Sequence, residues 1–259
     1  MIVANLSGGR DSSAMVVKWL EIGNKIDHII FCDTGFEFDA MYFYLEKLEG
    51  YLYKEFGMLI TYINSLNKIY DWAFEKPIAR GENKGRLRGL PRAVGKDYCT
   101  RETKANPTKE FVLSHSPNKF KNTVLIGYTY DEVKNGRVSN LDYATAKYPL
   151  AEWKMNEPEV DEFLKKRGIA NKLYEKFSRT GCYMCPKQSL QSLYTLYKYY
   201  PHFWEIMKNL EEKAKVLNCV NQTFKPNMTL ENLEKRFKNT PNALFSDVYA
   251  EDETCFCLR

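Results

Sequence analysis

The strongest constraint on this chain is the order in which apolar runs and breaks alternate from its N-terminus. Met1 to Leu6 is a short apolar run stopped by Ser7, Gly8 and Gly9, after which Met15, Val16, Trp19 and Leu20 recur at helical spacing as far as Gly23. The pattern repeats at once: residues 26–32 form a second apolar run, Asp33, Thr34 and Gly35 break it, and residues 36–56 carry a long amphipathic helix pattern. Residues 58–63 make a third run and residues 123–127 a fourth, with a helical pattern near 103–115 between them.

Strands alternating with helices predict an α/β fold, a Rossmann-like parallel sheet with helices on both faces and right-handed crossovers. Ligands of such sheets bind outside the carboxyl ends of the strands, the edge at which residues 7–13 and 33–35 fall. Beyond residue 150 the strand signals fade and helical spacing dominates: Asn156, Glu157 and Pro158 read as a cap and first turn, and residues 190–200, 203–217 and 230–237 as further helices. The expected organisation is therefore a nucleotide-binding α/β domain over 1–150 and a mostly helical region over 151–259. The aromatic-rich stretch at 194–204 has helical spacing and predicts core packing.

Charge sharpens this division. The whole chain carries +5, but residues 76–104 hold nine Lys or Arg against three acids, a net +6 within one Gly- and Pro-containing segment. A long irregular segment of this kind reads as an anion-binding lid, with a solvated mobile loop as the alternative. No run approaches the ~18 apolar residues of a membrane span, and the opening residues have no basic leader, so the expectation is a cytoplasmic chain. Seven cysteines in that setting point to metal or redox chemistry rather than structural disulfides. Three scattered histidines and no nucleophile elbow argue against a Ser–His–Asp hydrolase.

Chemistry concentrates in Ser7, Gly8, Gly9, Arg10, Asp11, Ser12 and Ser13, which lie between a predicted strand and a predicted helix. Glycines let successive N–H groups turn toward an anion, the serine hydroxyls add donors, and the helix start adds its positive dipole. Neither the Walker pattern nor a dinucleotide fingerprint is present. The loop instead resembles the pyrophosphate-binding loop of the adenine nucleotide α-hydrolase superfamily. Further matches, in order, resemble its phosphoadenylylsulfate (PAPS) reductase branch: Asp33-Thr34-Gly35; Cys99, Arg101 and Lys104; Gly127, Asp131 and Glu132 with Arg137; Tyr148, Pro149, Leu150 and Trp153; and Cys182 and Cys185 followed by Pro186.

The resemblance implies a nucleotide with its phosphates on residues 7–13, its adenine near Asp33, Thr34 and Gly35, and Gly127 in the nucleotide site. It makes Arg101, Lys104 and Arg137 candidates for the cleft's positive charges, with surface salt-bridging as the alternative for each. Thr129 stands where the family usually has an arginine. The full Ser-Gly-Gly-x-Asp-Ser form resembles members that split ATP between its α and β phosphates, whereas sulfonucleotide reductases carry a degenerate loop. Asp11, helped by Asp131 or Glu132, is then expected to hold Mg²⁺ while the loop steadies the departing pyrophosphate.

Cys182 and Cys185 place two thiols on one turn, flanked by Gly181 and Pro186. Cys99 lies 83 residues upstream, a separation similar to that between the cysteine motifs holding a 4Fe–4S cluster in adenylylsulfate reductases, although Tyr98 replaces the first cysteine of their pair. Cys257, or Cys255, is the candidate fourth ligand for an iron–sulfur cluster or for zinc. A redox pair at 182 and 185, inert buried thiols, and a mobile nucleophile in the tail are the alternatives. Cys32 and Cys219 read as buried packing residues.

The resulting expectation is an ATP pyrophosphatase that adenylates an acceptor, with a nucleic acid acceptor suggested by the basic segment, and moves sulfur onto it. A sulfur-donor protein or a thioredoxin-like reductant is an implied partner, and oligomerisation is left open. The alternatives are a PAPS or adenylylsulfate reductase producing sulfite and a non-catalytic nucleotide sensor or accessory subunit.

Overall fold

All four apolar runs become strands: β1 (Ile2–Asn5), β2 (His28–Asp33), β3 (Ile60–Asn64) and β4 (Thr123–Ile126). They are seen in a computed structural model that describes residues 1–93 and 97–239. A fifth strand, β5 (Thr145–Lys147), escaped the sequence pattern because Thr, Ala and Lys make no apolar run; it forms by pairing with β4, Thr123 against Thr145 and Leu125 against Lys147. Every pairing is parallel, in the order β3-β2-β1-β4-β5.

The helices follow as α1 (Arg10–Glu21), α2 (Asp39–Phe56), α3 (Lys68–Phe74), α4 (Tyr98–Thr100), α5 (Asn106–His115), α6 (Tyr130–Lys134), α7 (Pro149–Glu152), α8 (Glu157–Lys166), α9 (Leu190–Tyr199), α10 (Pro201–Val216) and α11 (Leu230–Asn239). A π-helical turn, Arg101–Ala105, joins α4 to α5. No helix among the described residues is long and apolar enough to cross a membrane.

The chain divides into two units that interleave in sequence. The first takes residues 1–33, 37–65 and 103–175 and contains the whole sheet. Val3, Ile30, Val112 and Val124 are buried together at its centre, each worth roughly 1.5–3 kcal/mol of apolar burial. Strand order reverses between β1 and β4, so the loops leaving these two strands meet at the topological switch point, where open α/β sheets place their ligands. α8 begins where the sequence placed its cap: Asn156 and Glu159 form a reciprocal capping box.

The second unit takes residues 34–36, 66–102 and the chain from 176 onward. The aromatic stretch packs internally, Tyr197 and Trp204 each against Phe237 of α11, and the buried Glu211 carboxylate accepts the N–H groups of Phe224 and Leu230. The basic segment is built into this unit. Pro77 and Leu87 pair antiparallel, and the carbonyls of Leu87 and Arg88 accept the N–H groups of Val220 and Asn221, while Asn221 returns its carbonyl to Leu90 N–H at 2.9 Å. Asn221 Nδ2 adds a donor to the Leu90 carbonyl at 2.8 Å.

Candidate functional site

The first loop is shaped by two glycines with different duties. Gly8 has φ +73°, a left-handed conformation that favours glycine, and a Cβ there would run into Met41 Sδ. Gly127, at the end of β4, has no such φ; a Cβ on it would lie 2.7 Å from both Cα and N of Ser12. Only a residue without a side chain lets the backbone at the start of α1 come down onto β4.

The serine hydroxyls hold the loop together. Ser12 Oγ and Ser13 Oγ both donate to the Gly9 carbonyl, at 3.1 and 2.9 Å, and Ser12 Oγ accepts from Ser7 N–H at 3.1 Å. What remains unsatisfied is backbone: among the described residues the N–H groups of Gly8, Asp11 and Ser12 have no protein acceptor. Such a set of N–H groups at a helix start is suited to phosphate oxygens.

Residues far along the chain lock the loop from outside. Asn171 Nδ2 donates to the Gly8 carbonyl at 3.0 Å, the Tyr174 hydroxyl accepts from Arg10 N–H at 3.1 Å, and the Arg10 guanidinium lies over the Tyr174 ring and pairs with Glu157. No local pattern marks Asn171 or Tyr174, and Glu157 reads only as part of a helix's first turn; all three are more than 140 residues away in sequence, so reading the sequence missed their place at the loop.

Asp11 is the chemically distinctive acid. Burial pushes its carboxyl up to about 6, with Glu157 and Glu132 raising it further and Arg10 and Arg137 opposing them. Its Oδ1 is buried with no hydrogen-bond donor, and the nearest guanidinium nitrogen, Arg10 Nε, stands 4.0 Å away. A buried carboxylate oxygen without a donor fits a divalent cation, which would neutralise it and the phosphates together.

Of the two acids after β4, Asp131 is exposed, and Glu132 is the one whose charge reaches Asp11. Glu132 is already engaged: it accepts from Thr129 N–H at 3.0 Å and pairs with Arg137. Thr129 is thus the N-cap of α6 within a capping box, a backbone role in the place where the family usually has an arginine. Arg137 also lies 4.1 Å from the Tyr128 ring centre; Tyr128 stacks on Tyr148, and Tyr148 accepts from Ser139 N–H at 2.6 Å. These motif residues form one layer beside the switch point.

Other expected residues are placed less centrally. Asp33 accepts the Tyr42 hydroxyl at 2.8 Å; Thr34 and Gly35 belong to the second unit, where Thr34 Oγ1 accepts from Phe36 N–H and Gly35 has φ +76°. Arg101 pairs with Glu102 in the second unit, whereas Lys104 falls in the first, its carbonyl receiving the Cys32 thiol at 3.8 Å. Cys32 is buried, as expected of a packing residue.

Cys182 is buried and Cys185 half-buried in a turn outside any helix, with Cys185 N–H donating to the Cys182 carbonyl at 3.1 Å. The Gln188 amide donates to the Cys182 and Tyr183 carbonyls at 3.3 and 2.6 Å and braces this knuckle. The described residues contain no group of three or more His, Cys, Asp or Glu able to hold a metal ion, so Cys99, Cys182 and Cys185 do not themselves form one; Cys255 and Cys257 lie outside the described residues.

A model of the phosphoadenosine phosphosulfate reductase domain matches residues 1–188. Two uncharacterized proteins of Methanocaldococcus jannaschii are each 26% identical, one over 230 residues and one over 196, covering 84% and 71% of this chain. The chain spans only 43% and 41% of those relatives' own lengths. Among solved structures, the PAPS reductase of Candida auris in its phosphate complex is similar at a TM-score of 0.47 and 12% identity, over 70% of this chain and 80% of that one. The U34-tRNA thiolase NcsA of Methanococcus maripaludis, solved with its 4Fe–4S cluster, is similar at 0.41 and 14%, over 93% of this chain and 73% of that one.

Proposed function

This chain belongs to the phosphoadenosine phosphosulfate reductase domain family, and from that membership and the loop at the switch point we propose that it splits ATP between the α and β phosphates to adenylate an acceptor in sulfur transfer. The observation that carries the reading is the start of α1: N–H groups of Gly8, Asp11 and Ser12 without a protein acceptor among the described residues, beside a buried, donorless carboxylate oxygen of Asp11. A pyrophosphate needs such a cradle, since charge builds on it as it leaves.

In this mechanism an oxygen of the acceptor attacks the α-phosphorus, the bond from that phosphorus to the α–β bridging oxygen breaks, and pyrophosphate leaves on the loop; AMP leaves in turn when a sulfur nucleophile displaces it from the acceptor, or forms directly when water takes the acceptor's place. The N–H groups of Gly8, Asp11 and Ser12 take its oxygens. Mg²⁺, held at Asp11, supplies charge neutralisation when bound. Arg10 is drawn toward Glu157 and Tyr174 and keeps the loop's shape; Arg137, fixed by Glu132 and Tyr128, adds positive potential without being free to swing. We assign sulfur handling to the thiols of Cys99, Cys182 and Cys185; because these three do not gather into a metal-binding group, no cluster or zinc ion enters this reading.

The test uses anaerobically purified protein, assayed for iron and zinc and then for AMP and pyrophosphate formed from ATP. AMP and pyrophosphate in equal amounts, lost in Asp11→Asn, are the expected result. Sulfite released from PAPS or adenylylsulfate, with ATP left intact, would replace this reading by the reductase one. Tight nucleotide binding without turnover of any of the three would make the chain a sensor or accessory subunit.

A further inference from the structure

The second unit gathers like charge in a way that its own acids do not balance. Lys76 Nζ, Arg88 Cζ and Arg101 Cζ lie over the single ring of Trp72, at 5.3, 4.5 and 5.4 Å from its centre. Arg101 pairs with Glu102, but neither Lys76 nor Arg88 has a carboxylate within ion-pair distance among the described residues. Cations attract the face of an indole, yet they repel one another, and three on one ring make a standing positive spot that an anion would relieve.

The spot is held on a rigid frame. Trp72 stacks with Tyr98 at 6.4 Å, the Tyr98 hydroxyl donates to the Gly89 carbonyl at 2.9 Å, and Gly89 N–H donates to the Ala73 carbonyl at 2.9 Å. Gly89 has φ +75°, and a Cβ there would meet the backbone of Asn221, so the chain crosses at this point only as glycine. The hairpin that continues from Lys76 carries Arg80, Lys84 and Arg86, with Arg86 donating to the Asn218 carbonyl at 3.3 Å. Cys99 follows Tyr98 directly, so the charge stands next to one of the thiols assigned to sulfur.

We propose that Lys76, Arg88 and Arg101, gathered on Trp72, are the docking site for the phosphodiester backbone of a nucleic acid that serves as the acceptor. The inference rests on the adenylation reading for the word acceptor, but not for the binding itself. With its ring surrounded by Tyr98 and the three cations, Trp72 acts as scaffold; contact is with phosphates, which makes binding tolerant of sequence and strongly dependent on salt.

The test measures binding of a fluorescein-labelled RNA stem–loop, and of DNA with the same sequence, to the full chain without nucleotide and across a salt series. Expected is binding that weakens as salt rises, a Kd at low salt about tenfold higher in the Lys76→Gln/Arg88→Gln double variant, and a log–log salt slope smaller by about 2. Lys76→Glu, a change at an exposed position, weakens binding without risk to the fold, and Lys215→Gln, on an exposed lysine of α10, serves as the control. A difference between the RNA and DNA arms identifies which backbone is taken. The proposal is overturned if neither nucleic acid binds, if inorganic phosphate binds in their place, or if Lys215→Gln weakens binding as much as the double variant. Because ATP is absent, a protein that binds RNA yet leaves ATP intact separates failure of the adenylation reading from failure of this one.

Discussion

In the sheet-bearing unit the focal charge is a single acid, Asp11, set among Arg10, Arg137, Glu132 and Glu157 at the start of a helix, whereas in the other unit it is a trio of cations around Trp72 of α3, two flanking a hairpin and one from the π-helical turn. The first arrangement is made by backbone: the groups left without an acceptor among the described residues are N–H, while the hydroxyls of Ser12 and Ser13 bond to the Gly9 carbonyl and hold the loop. The second is made by side chains that a stacked ring pair keeps in place. A backbone cradle is suited to an anion of fixed shape, and a spread of flexible cations to a polymer of anions. On the two proposals above, one chain would present two anion surfaces of different selectivity.

The largest expected effect breaks the first half of the comparison. Asp11→Asn abolishes AMP formation from ATP while leaving the fold intact. It also raises the stability of the ligand-free protein at pH 7 by about 1–3 kcal/mol, since each tenfold change in proton affinity is worth about 1.4 kcal/mol and the side chain is only 27% exposed. The sign follows from the raised carboxyl: the folded state holds the proton more tightly than the unfolded chain, so stability is greatest at low pH and falls as pH rises between about 4 and about 6. Urea unfolding across that range should show the fall in the parent protein and lose it in the variant.

Gly127→Ala ranks next. Its new methyl meets the α1 backbone rather than a yielding side chain, so a loss of about 1–3 kcal/mol is expected together with weaker nucleotide binding, measurable by urea unfolding and by titration with ATP. Asn221→Ala sharpens the other half: with the Leu90 carbonyl losing its side-chain donor, the second unit should lose about 1–3 kcal/mol, and hydrogen exchange should quicken at residues 87–90 while β1 and β4 keep their protection. The smallest effect belongs to Thr129→Ala, which removes the cap of α6 for about 1 kcal/mol and, by loosening Glu132 and Arg137, lowers ATP turnover modestly.

What the sequence determined by itself was local order. Apolar runs, their breaks and helical spacing placed four strands and most helices within a few residues, because each such signal is written in neighbours and in the period of one element. The Ser7–Ser13 loop was legible for the same reason, as a glycine turn between strand and helix, and so was the Asn156 cap. Tertiary structure alone decided the rest. It paired β5, which has no apolar run, onto β4; it brought Gly127 against Ser12, chose Glu132 over Asp131 as the acid facing Asp11, and seated Asn171 and Tyr174 on the loop. It also drew Lys76, Arg88 and Arg101 onto one ring. These are contacts across tens to more than a hundred residues of chain, and no local spacing encodes which distant backbone will come close enough to exclude a side chain or bury a carboxylate.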